Sequence, residues 1–298
     1  MTPRTQLRLA AVVAVTSFTA FGADRSAAAQ ATLDDIEKTV GFVPGFFKSF
    51  PDATLPGTWE EMKGLQMNPK TAIPVKYKEL IGLAVSAQVP CKYCIVGHTE
   101  FAKANGATQE EVGVAVSEAG LTRHWSTYFN GVQLDETKFR ADLAKAFDHM
   151  KKMDPNAPPP APATLTDAAS AYREIGQAFG EVPEFMKKFP EAGIVGAWRA
   201  MRDVEMNPHG TVPPKYISLI GLAVASQIPC RYCIIADTEF AKAEGATDAE
   251  VNEAVAMAAH TRNMSTLLNG MQVDEAAFKN DVARLTKPPV KGKNVSRR

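Results

Sequence analysis

The feature that most constrains the fold of this chain is a long internal repeat. Residues Gly41 to Phe139 match residues Gly180 to Phe278 without a gap, at an offset of 139 positions, and roughly half of the paired residues are identical. Solenoid repeats span only about 20–50 residues, so a repeat of this length is a whole domain. The total of 298 residues also suits two domains of ~150 residues, each large enough to bury a core. We therefore expect two copies of one domain in tandem.

Short segments outside the repeat divide the rest of the chain. The run from 154 to 164 is rich in Pro and Ala, which disfavours a helix and favours an extended chain, so we predict a linker there. This places the first copy at residues 32–153 and the second at residues 165–286. Residues 287–298 form a basic tail, which we expect to be solvated.

The first 31 residues have the pattern of a secretory signal peptide. Arg4 and Arg8 precede a short apolar stretch, and Ala29-Gln30-Ala31 fits a cleavage site. The pattern predicts export to a periplasm or beyond after cleavage near Ala31, with an amphipathic or disordered arm as the alternative. Such a compartment is oxidising, so that cysteine pairs can persist there as disulfides.

The periodicity within each copy is helical. Ile81, Val85 and Val89 recur at intervals of four, which predicts one helix that ends near Pro90. Residues 91–105 predict the next helix, and Thr108-Gln109-Glu110-Glu111 has the form of a capping box that opens a third. We find no convincing strand pattern, so the expected class is all-α, with two helical bundles in tandem.

The charge balance and the distribution of apolar residues argue against two classes of partner. The chain has 33 basic and 33 acidic side chains, so it lacks the excess of positive charge typical of proteins that bind nucleic acids. No internal stretch approaches the ~20 consecutive apolar residues of a membrane span. We therefore expect neither a nucleic-acid nor a membrane partner.

The four cysteines form two C-x-x-C pairs at equivalent positions of the repeat, and each pair directly follows a proline. Each pair lies at the predicted start of a helix, where free amide groups and the helix dipole favour a thiolate over a thiol. Two cysteines three positions apart on a first turn can also form a short-loop disulfide. This placement indicates redox chemistry.

Two side chains of the first copy could assist its cysteine pair. His98 lies four residues after Cys94 on the same helix face, where it could act as a base or hydrogen-bond partner. Glu79 lies twelve residues before Cys91 and could approach the sulfurs if the two helices form a hairpin. On spacing alone, Glu79 could equally be a solvated charge and His98 a surface histidine.

The pattern Glu79-x11-Cys91-x2-Cys94-x3-His98 resembles the active-site signature of the AhpD-like alkylhydroperoxidases, within the carboxymuconolactone decarboxylase superfamily. The resemblance covers the core of each copy, about 43 residues from Pro74 and from Pro213. It implies an all-α fold and a thiol-dependent peroxidase or disulfide oxidoreductase. By this resemblance, Cys94 attacks the peroxide, Cys91 resolves the product as a disulfide, and Glu79 and His98 relay protons.

The same resemblance implies a set of partners. A hydroperoxide would be the substrate, an unidentified thiol or dithiol would be the reductant, and neither a cofactor nor a metal would be needed. Many relatives form oligomers, so a homo-oligomer of two-domain chains is also expected.

The second copy departs from this signature. It keeps Cys230 and Cys233, but Ser218 and Asp237 stand at the positions of the glutamate and the histidine. In both copies a tyrosine lies between the cysteines, where the best-studied relatives have a histidine, and tyrosine is a poor base near neutral pH. We therefore expect a weaker redox site, or a structural pair, in the second copy. The remaining histidines differ between the copies and are expected at the surface or in packing: His124, His149, His209 and His260.

Three alternatives stay open at this point. Cys91, Cys94, His98 and Glu79 offer two sulfurs, one nitrogen and one oxygen, a credible set of zinc ligands. A ring-opening or decarboxylating enzyme, like those that give the superfamily its name, is the second alternative, although we associate those sites with the absence of this cysteine pair. Oxidised, inert structural pairs are the third.

Overall fold

The computed structural model describes residues 25–153, 163–207 and 209–287. Most of the predicted signal peptide, most of the predicted linker and nearly all of the basic tail lie outside these residues. The described residues form helices and no strands, which confirms the all-α class. Within them, no helix is both long enough and apolar enough to cross a membrane.

The two copies have corresponding series of helices. Those of the first copy are α1 (Ala27–Val40), α2 (Gly45–Lys48), α3 (Leu55–Glu61), α4 (Val75–Gln88), α5 (Lys92–Ala104), α6 (Gln109–Gly131) and α7 (Glu136–Met150), with a π-helical turn (Met62–Gln66) after α3. Those of the second copy are α8 (Ala168–Phe179), α9 (Glu184–Lys188), α10 (Glu191–Val204), α11 (Pro214–Gln227), α12 (Arg231–Ala243), α13 (Asp248–Gly270) and α14 (Glu275–Leu285).

The local signals in the sequence are confirmed at several helix ends. Helix α5 begins at Lys92 with Cys91 as its N-cap, and Gly106 follows its end with a φ of 88°, a conformation that glycine adopts without a steric penalty. Thr108 and Glu111 form the predicted capping box of α6, and the second copy repeats it at α13.

The two copies pack around a pseudo-twofold axis. Tyr77 and Tyr216, which are equivalent residues, stack with ring centroids 3.6 Å apart and planes only 10° from parallel. Around them, α4 and α11 pack against each other and form one continuous apolar core with the long helices α6 and α13. Self-complementary contact between equivalent surfaces is the geometry of a symmetric dimer, here within one chain.

The long helices cross the axis, so that each copy completes the core of the other. Met264, Leu268 and Phe278 of the second copy pack among the first-copy residues that surround Cys91 and Cys94. Reciprocally, aromatic residues of α6 and α7 pack around the second cysteine pair. Symmetric polar contacts accompany this exchange: the hydroxyl of Tyr93 donates to the Val273 carbonyl, and that of Tyr232 donates to the Leu134 carbonyl.

Specific contacts hold the first described residues against the rest of the fold. Ala29 is fully buried. The Ser26 side chain caps α1 by accepting a hydrogen bond from the backbone amide of Ala29. Arg25 donates to the Phe50 carbonyl and pairs with Asp52 at 2.9 Å. Cleavage after Ala31 would therefore remove the first turn of α1. The predicted cleavage site therefore lies inside α1.

We expect a chain that starts at Thr32 to be less stable than one that starts at Arg25. Loss of the Ser26 cap alone costs about 1 kcal/mol, and the buried Ala29 is lost with it. A shift of this size lowers the melting temperature by roughly 2–4 °C in a chain of this size class. Thermal unfolding of both truncations measures the difference. Equal melting temperatures would show that the first turn of α1 contributes nothing.

Candidate active site

The first cysteine pair lies where the sequence predicts, at the start of α5. Cys91 is fully buried and Cys94 is 5% exposed. Neither is disulfide-bonded, and the amide of Cys94 donates to the Cys91 sulfur at 3.2 Å. The N-terminal amides of α5 therefore face the sulfur of Cys91, where they stabilise negative charge.

Several donors stabilise a thiolate at Cys91. The side chain of Cys94 is the strongest of them, followed by the Cys94 amide and by the side chains of Ser265 and Asn269, and together they lower the pKa of Cys91 to about 5 against the opposing effect of burial. The Nδ2 atom of Asn269 lies 3.5 Å from the sulfur. Ser265 and Asn269 belong to α13, so the second copy supplies part of the charge stabilisation.

The Cys94 thiol has the opposite tendency. Its hydrogen bond to Cys91, its burial and the charge of Cys91 all raise its pKa well above the usual range. The pair therefore holds one negative charge, which resides mainly on Cys91, and a second ionisation is strongly disfavoured.

Glu79 and His98 are brought together in the interior, and neither is the solvated residue that spacing alone allowed. The Nδ1 atom of His98 lies 2.6 Å from Oε2 of Glu79, and both residues are at least 94% buried. The side-chain amide of Gln66 donates to both carboxylate oxygens, at 3.0 and 3.2 Å. Gln66 ends the π-helical turn after α3, an irregularity common at functional sites.

Gly82 on α4 makes the approach of His98 possible. A Cβ atom at this position would lie 2.3–2.6 Å from three atoms of the His98 ring, so only glycine leaves room for the ring. Gly221 has the same role in the second copy, where a Cβ would lie 3.0 Å from Oδ2 of Asp237.

The second copy contributes a buried histidine that the sequence analysis did not connect with this site. His260 on α13 is 1% exposed, and its Nε2 atom lies 3.2 Å from Oε1 of Gln66. Because that oxygen only accepts hydrogen bonds, Nε2 carries the proton. Burial lowers the pKa of His260 against the opposing effect of Glu61, whose Oε2 atom lies 3.1 Å from Nδ1. Its counterpart in the first copy is Leu121. This difference between an apolar and a polar residue is the sequence signal that could have identified His260.

A small apolar cavity of about 40 Å³ opens on this site. Cys94, His98 and Gln66 line it, whereas Cys91 does not. Its walls come from both copies: Phe46, Met62, Tyr93 and Phe101 from the first, and Met264, Leu268, Phe278 and Val282 from the second. The cavity therefore gives a small apolar molecule access to one sulfur of the pair.

The zinc alternative fits this geometry poorly. Glu79 and His98 bind each other, and Cys91 is directed to donors on α13. Among residues 25–153, 163–207 and 209–287, no three His, Cys, Asp or Glu side chains converge as metal ligands.

The second copy differs in its chemistry. Cys230 and Cys233 form a disulfide across the first turn of α12. Asp237 replaces the histidine, and Glu205 on the loop after α10 stands at the position of Gln66. Glu118 of α6 reaches this site from the first copy, just as α13 reaches the other.

The reduced pair should titrate near pH 5. We expect the ultraviolet absorbance of a thiolate to appear in one step, at the pKa of Cys91, as pH rises from 4 to 7. Asn269→Leu removes a hydrogen-bond donor to the Cys91 thiolate and should raise the pKa of Cys91 by about one pH unit. Asn130→Leu alters the equivalent residue near the other pair and serves as the control. A thiolate that first appears near pH 9 would contradict the assignment.

Gly82→Ala should displace His98 from Glu79. The added methyl group overlaps the imidazole, so we expect the NMR chemical shifts of the His98 ring nitrogens to change as the hydrogen bond to Glu79 is lost. Gly221→Ala, the matched change, should leave those chemical shifts unaltered. Identical His98 chemical shifts in Gly82→Ala would show that the ring does not rest on this glycine.

Comparison with known proteins agrees with the repeat and with the fold. The model of the carboxymuconolactone decarboxylase family matches residues 53–135 and 193–276, which together are more than half of the chain. A solved structure from Burkholderia xenovorans LB400, assigned as a gamma-carboxymuconolactone decarboxylase subunit, is similar with a TM-score of 0.55 and 15% identity. The similarity covers 85% of this chain and 98% of that one, and at this identity it concerns the fold alone.

A search of curated proteins finds no match. The chain therefore belongs to the carboxymuconolactone decarboxylase family, as a member with two copies of the family domain in tandem.

Proposed function

We propose that the first copy is a thiol-dependent peroxidase that reduces organic hydroperoxides through Cys94 and Cys91. One observation carries the proposal: Cys94 lines an apolar cavity beside a buried Glu79–His98 pair, and a stabilised thiolate at Cys91 lies directly behind it. This arrangement combines a nucleophile, a proton relay and a second sulfur poised to attack.

The reaction begins at Cys94 because it is the sulfur that the cavity reaches. The proton of Cys94 passes to the Glu79–His98 pair while the sulfur attacks the terminal oxygen of the hydroperoxide, so that no second free thiolate forms beside Cys91. The O–O bond breaks, the alkoxide takes the proton back and leaves as an alcohol, and Cys94 becomes a sulfenic acid.

Cys91 completes the cycle as the resolving residue. Its thiolate attacks the Cys94 sulfur, the S–O bond breaks, and hydroxide leaves with a proton as water. The disulfide that forms is reduced by two electrons from an external thiol or dithiol, which regenerates both cysteines. The low pKa of Cys91 suits this step because the attacking sulfur is already ionised near neutral pH.

Glu79 and Gln66 position the histidine of the relay. The Glu79 carboxylate fixes the ring through Nδ1, so that Nε2 is the nitrogen free for proton transfer. Gln66 holds the carboxylate, and His260 of the second copy orients the amide of Gln66. The Thr261 hydroxyl lies 3.5 Å from Nε2.

The second copy is assigned a weaker or structural redox role. Its cysteines are oxidised, and Ser218 and Asp237 occupy the positions of the relay residues Glu79 and His98. We further propose that the chain is exported to an oxidising compartment, which would preserve this disulfide.

Separate serine variants of the two cysteines test the proposal. We expect Cys94→Ser to lose hydroperoxide reduction with a dithiol by at least a hundredfold. We expect Cys91→Ser to accumulate a sulfenic acid on Cys94 that a dimedone-type reagent traps. The matched variants Cys230→Ser and Cys233→Ser should retain most of the activity. Wild-type turnover by Cys94→Ser would refute the function, and a trapped sulfenic acid on Cys91 would reverse the two roles.

A decarboxylase-like activity is the second candidate, because the matching family model and the similar structure bear that name. It requires no redox cycle. Turnover of a carboxymuconolactone-type lactone that persists in Cys94→Ser, together with no hydroperoxide reduction by the wild type, would favour it.

A further inference from the structure

The second copy has a cavity of its own, and the proposed peroxidase cycle does not use it. Its volume is about 120 Å³, whereas one water molecule needs about 10–15 Å³ of such volume. The cavity therefore accommodates a small organic molecule. Asp142 and Leu143 of α7 and the exposed Glu244 lie along its lining, which places solvent at that side.

The described residues give this cavity an acidic lining. Five of their carboxyl groups contribute to it, and none of their lysine, arginine or histidine side chains does. The carboxyl groups belong to Glu118, Asp142, Glu205, Asp237 and Glu244.

The deepest carboxyl group has an unpartnered oxygen. Glu118 is 2% exposed, and its Oε1 atom accepts a hydrogen bond from the Thr122 hydroxyl at 3.0 Å. Its Oε2 atom has no partner within the part of the chain that the structure describes, and neither has Oδ2 of Asp237. A buried oxygen of this kind is costly unless a ligand satisfies it.

The groups that face Glu118 intensify this cost. Two of them are acidic: Glu205 at the end of α10 and Asp237 on α12. Helix α11 contributes Ser218 and Gly221 on this side, and neither carries a charge. Burial raises the pKa of Glu118 to about 7, and burial together with the charge of Glu118 holds the pKa values of Glu205 and Asp237 well above the usual range. Without a cation, the site therefore retains protons near neutral pH.

The walls of the cavity are aromatic. Ring faces carry partial negative charge and attract an ammonium group, most strongly where water is excluded. The aromatic residues are Trp125, Phe129, Phe139, Phe179, Phe185 and Phe240. An inorganic divalent ion is a poorer fit, because no three ligating side chains of the described residues converge on one point.

We propose that this cavity is a binding site for a small organic cation, a primary ammonium group carried on an apolar or aromatic body. The ammonium group lies at Glu118 and Asp237 and donates to their free oxygens, and the apolar body lies against the aromatic walls. Binding ionises at least one carboxyl group, which releases a proton. The first-copy site lacks these features, since Met257 is the counterpart of Glu118.

Isothermal titration of the full chain with three probes of matched shape tests the proposal. Phenethylammonium is the cation, 2-phenylethanol is the neutral analogue and phenylacetate is the anion. We expect phenethylammonium to bind at one site per chain, at least tenfold more tightly than the other two. Its affinity should rise between pH 6 and pH 8, because ionisation of the carboxyl groups favours the complex. The binding heat should also vary with the ionisation enthalpy of the buffer, since a proton is released.

Substitutions at Glu118 locate the site. Glu118→Gln keeps the shape and should weaken the binding of phenethylammonium at least tenfold. Glu118→Met introduces the residue of the first copy and should have the same effect, and it provides a second variant if the first folds poorly. Glu110→Gln, on the exposed face of the same helix, is the control and should bind as the wild type does.

Three results would overturn the proposal. The first is equal or tighter binding of 2-phenylethanol or phenylacetate. The second is unchanged affinity for phenethylammonium in both Glu118 variants. The third is displacement of phenethylammonium by Mg²⁺ or Ca²⁺ at equimolar concentration, which would identify an inorganic cation site.

Discussion

The structure depends on the exchange of the long helices α6 and α13 across the pseudo-twofold axis. Each copy has enough helices to form a bundle. Its cysteine pair, however, packs against the last two helices of the other copy. The stacked tyrosines at the axis and the apolar core around α4 and α11 hold the copies in this register. The cores and both sites therefore form together, and we expect the chain to unfold as one cooperative unit.

This exchange let the two sites diverge after duplication. A substitution in α13 changes the first-copy site, and a substitution in α6 changes the second-copy site, because each helix faces across the axis. Leu121 and His260 are one such pair, and Glu118 and Met257 are another. One site thereby has a buried histidine that orients Gln66, and the other has a buried carboxyl group near a disulfide. Glu118 lines the cavity of the second copy, and His260 contacts Gln66, which lines the cavity of the first.

The sequence predicted those features that depend on residues close together in the chain. The helix before Pro90, the capping box at Thr108 and the position of Cys91 at a helix start all follow from local spacing. The contact between Glu79 and His98 followed from a hairpin of adjacent helices. Gln66, Gly82, His260 and Glu118 were missed because their roles arise from a π-helical turn, a close approach and helices from the other copy. A comparison of the copies for positions that are apolar in one and polar in the other would have identified His260 and Glu118.

The most direct test of this account is a zero-length cross-link between the copies. The Lys92 ammonium on α5 lies 2.5 Å from a carboxylate oxygen of Glu275 on α14. We expect carbodiimide treatment followed by mass spectrometry to recover a Lys92–Glu275 linked peptide, and a mixture of ¹⁴N and ¹⁵N chains to show that both ends come from one chain. If the only links recovered join residues of the same copy, such as Lys215 with Glu250, each copy would close its own site, and the account would be wrong.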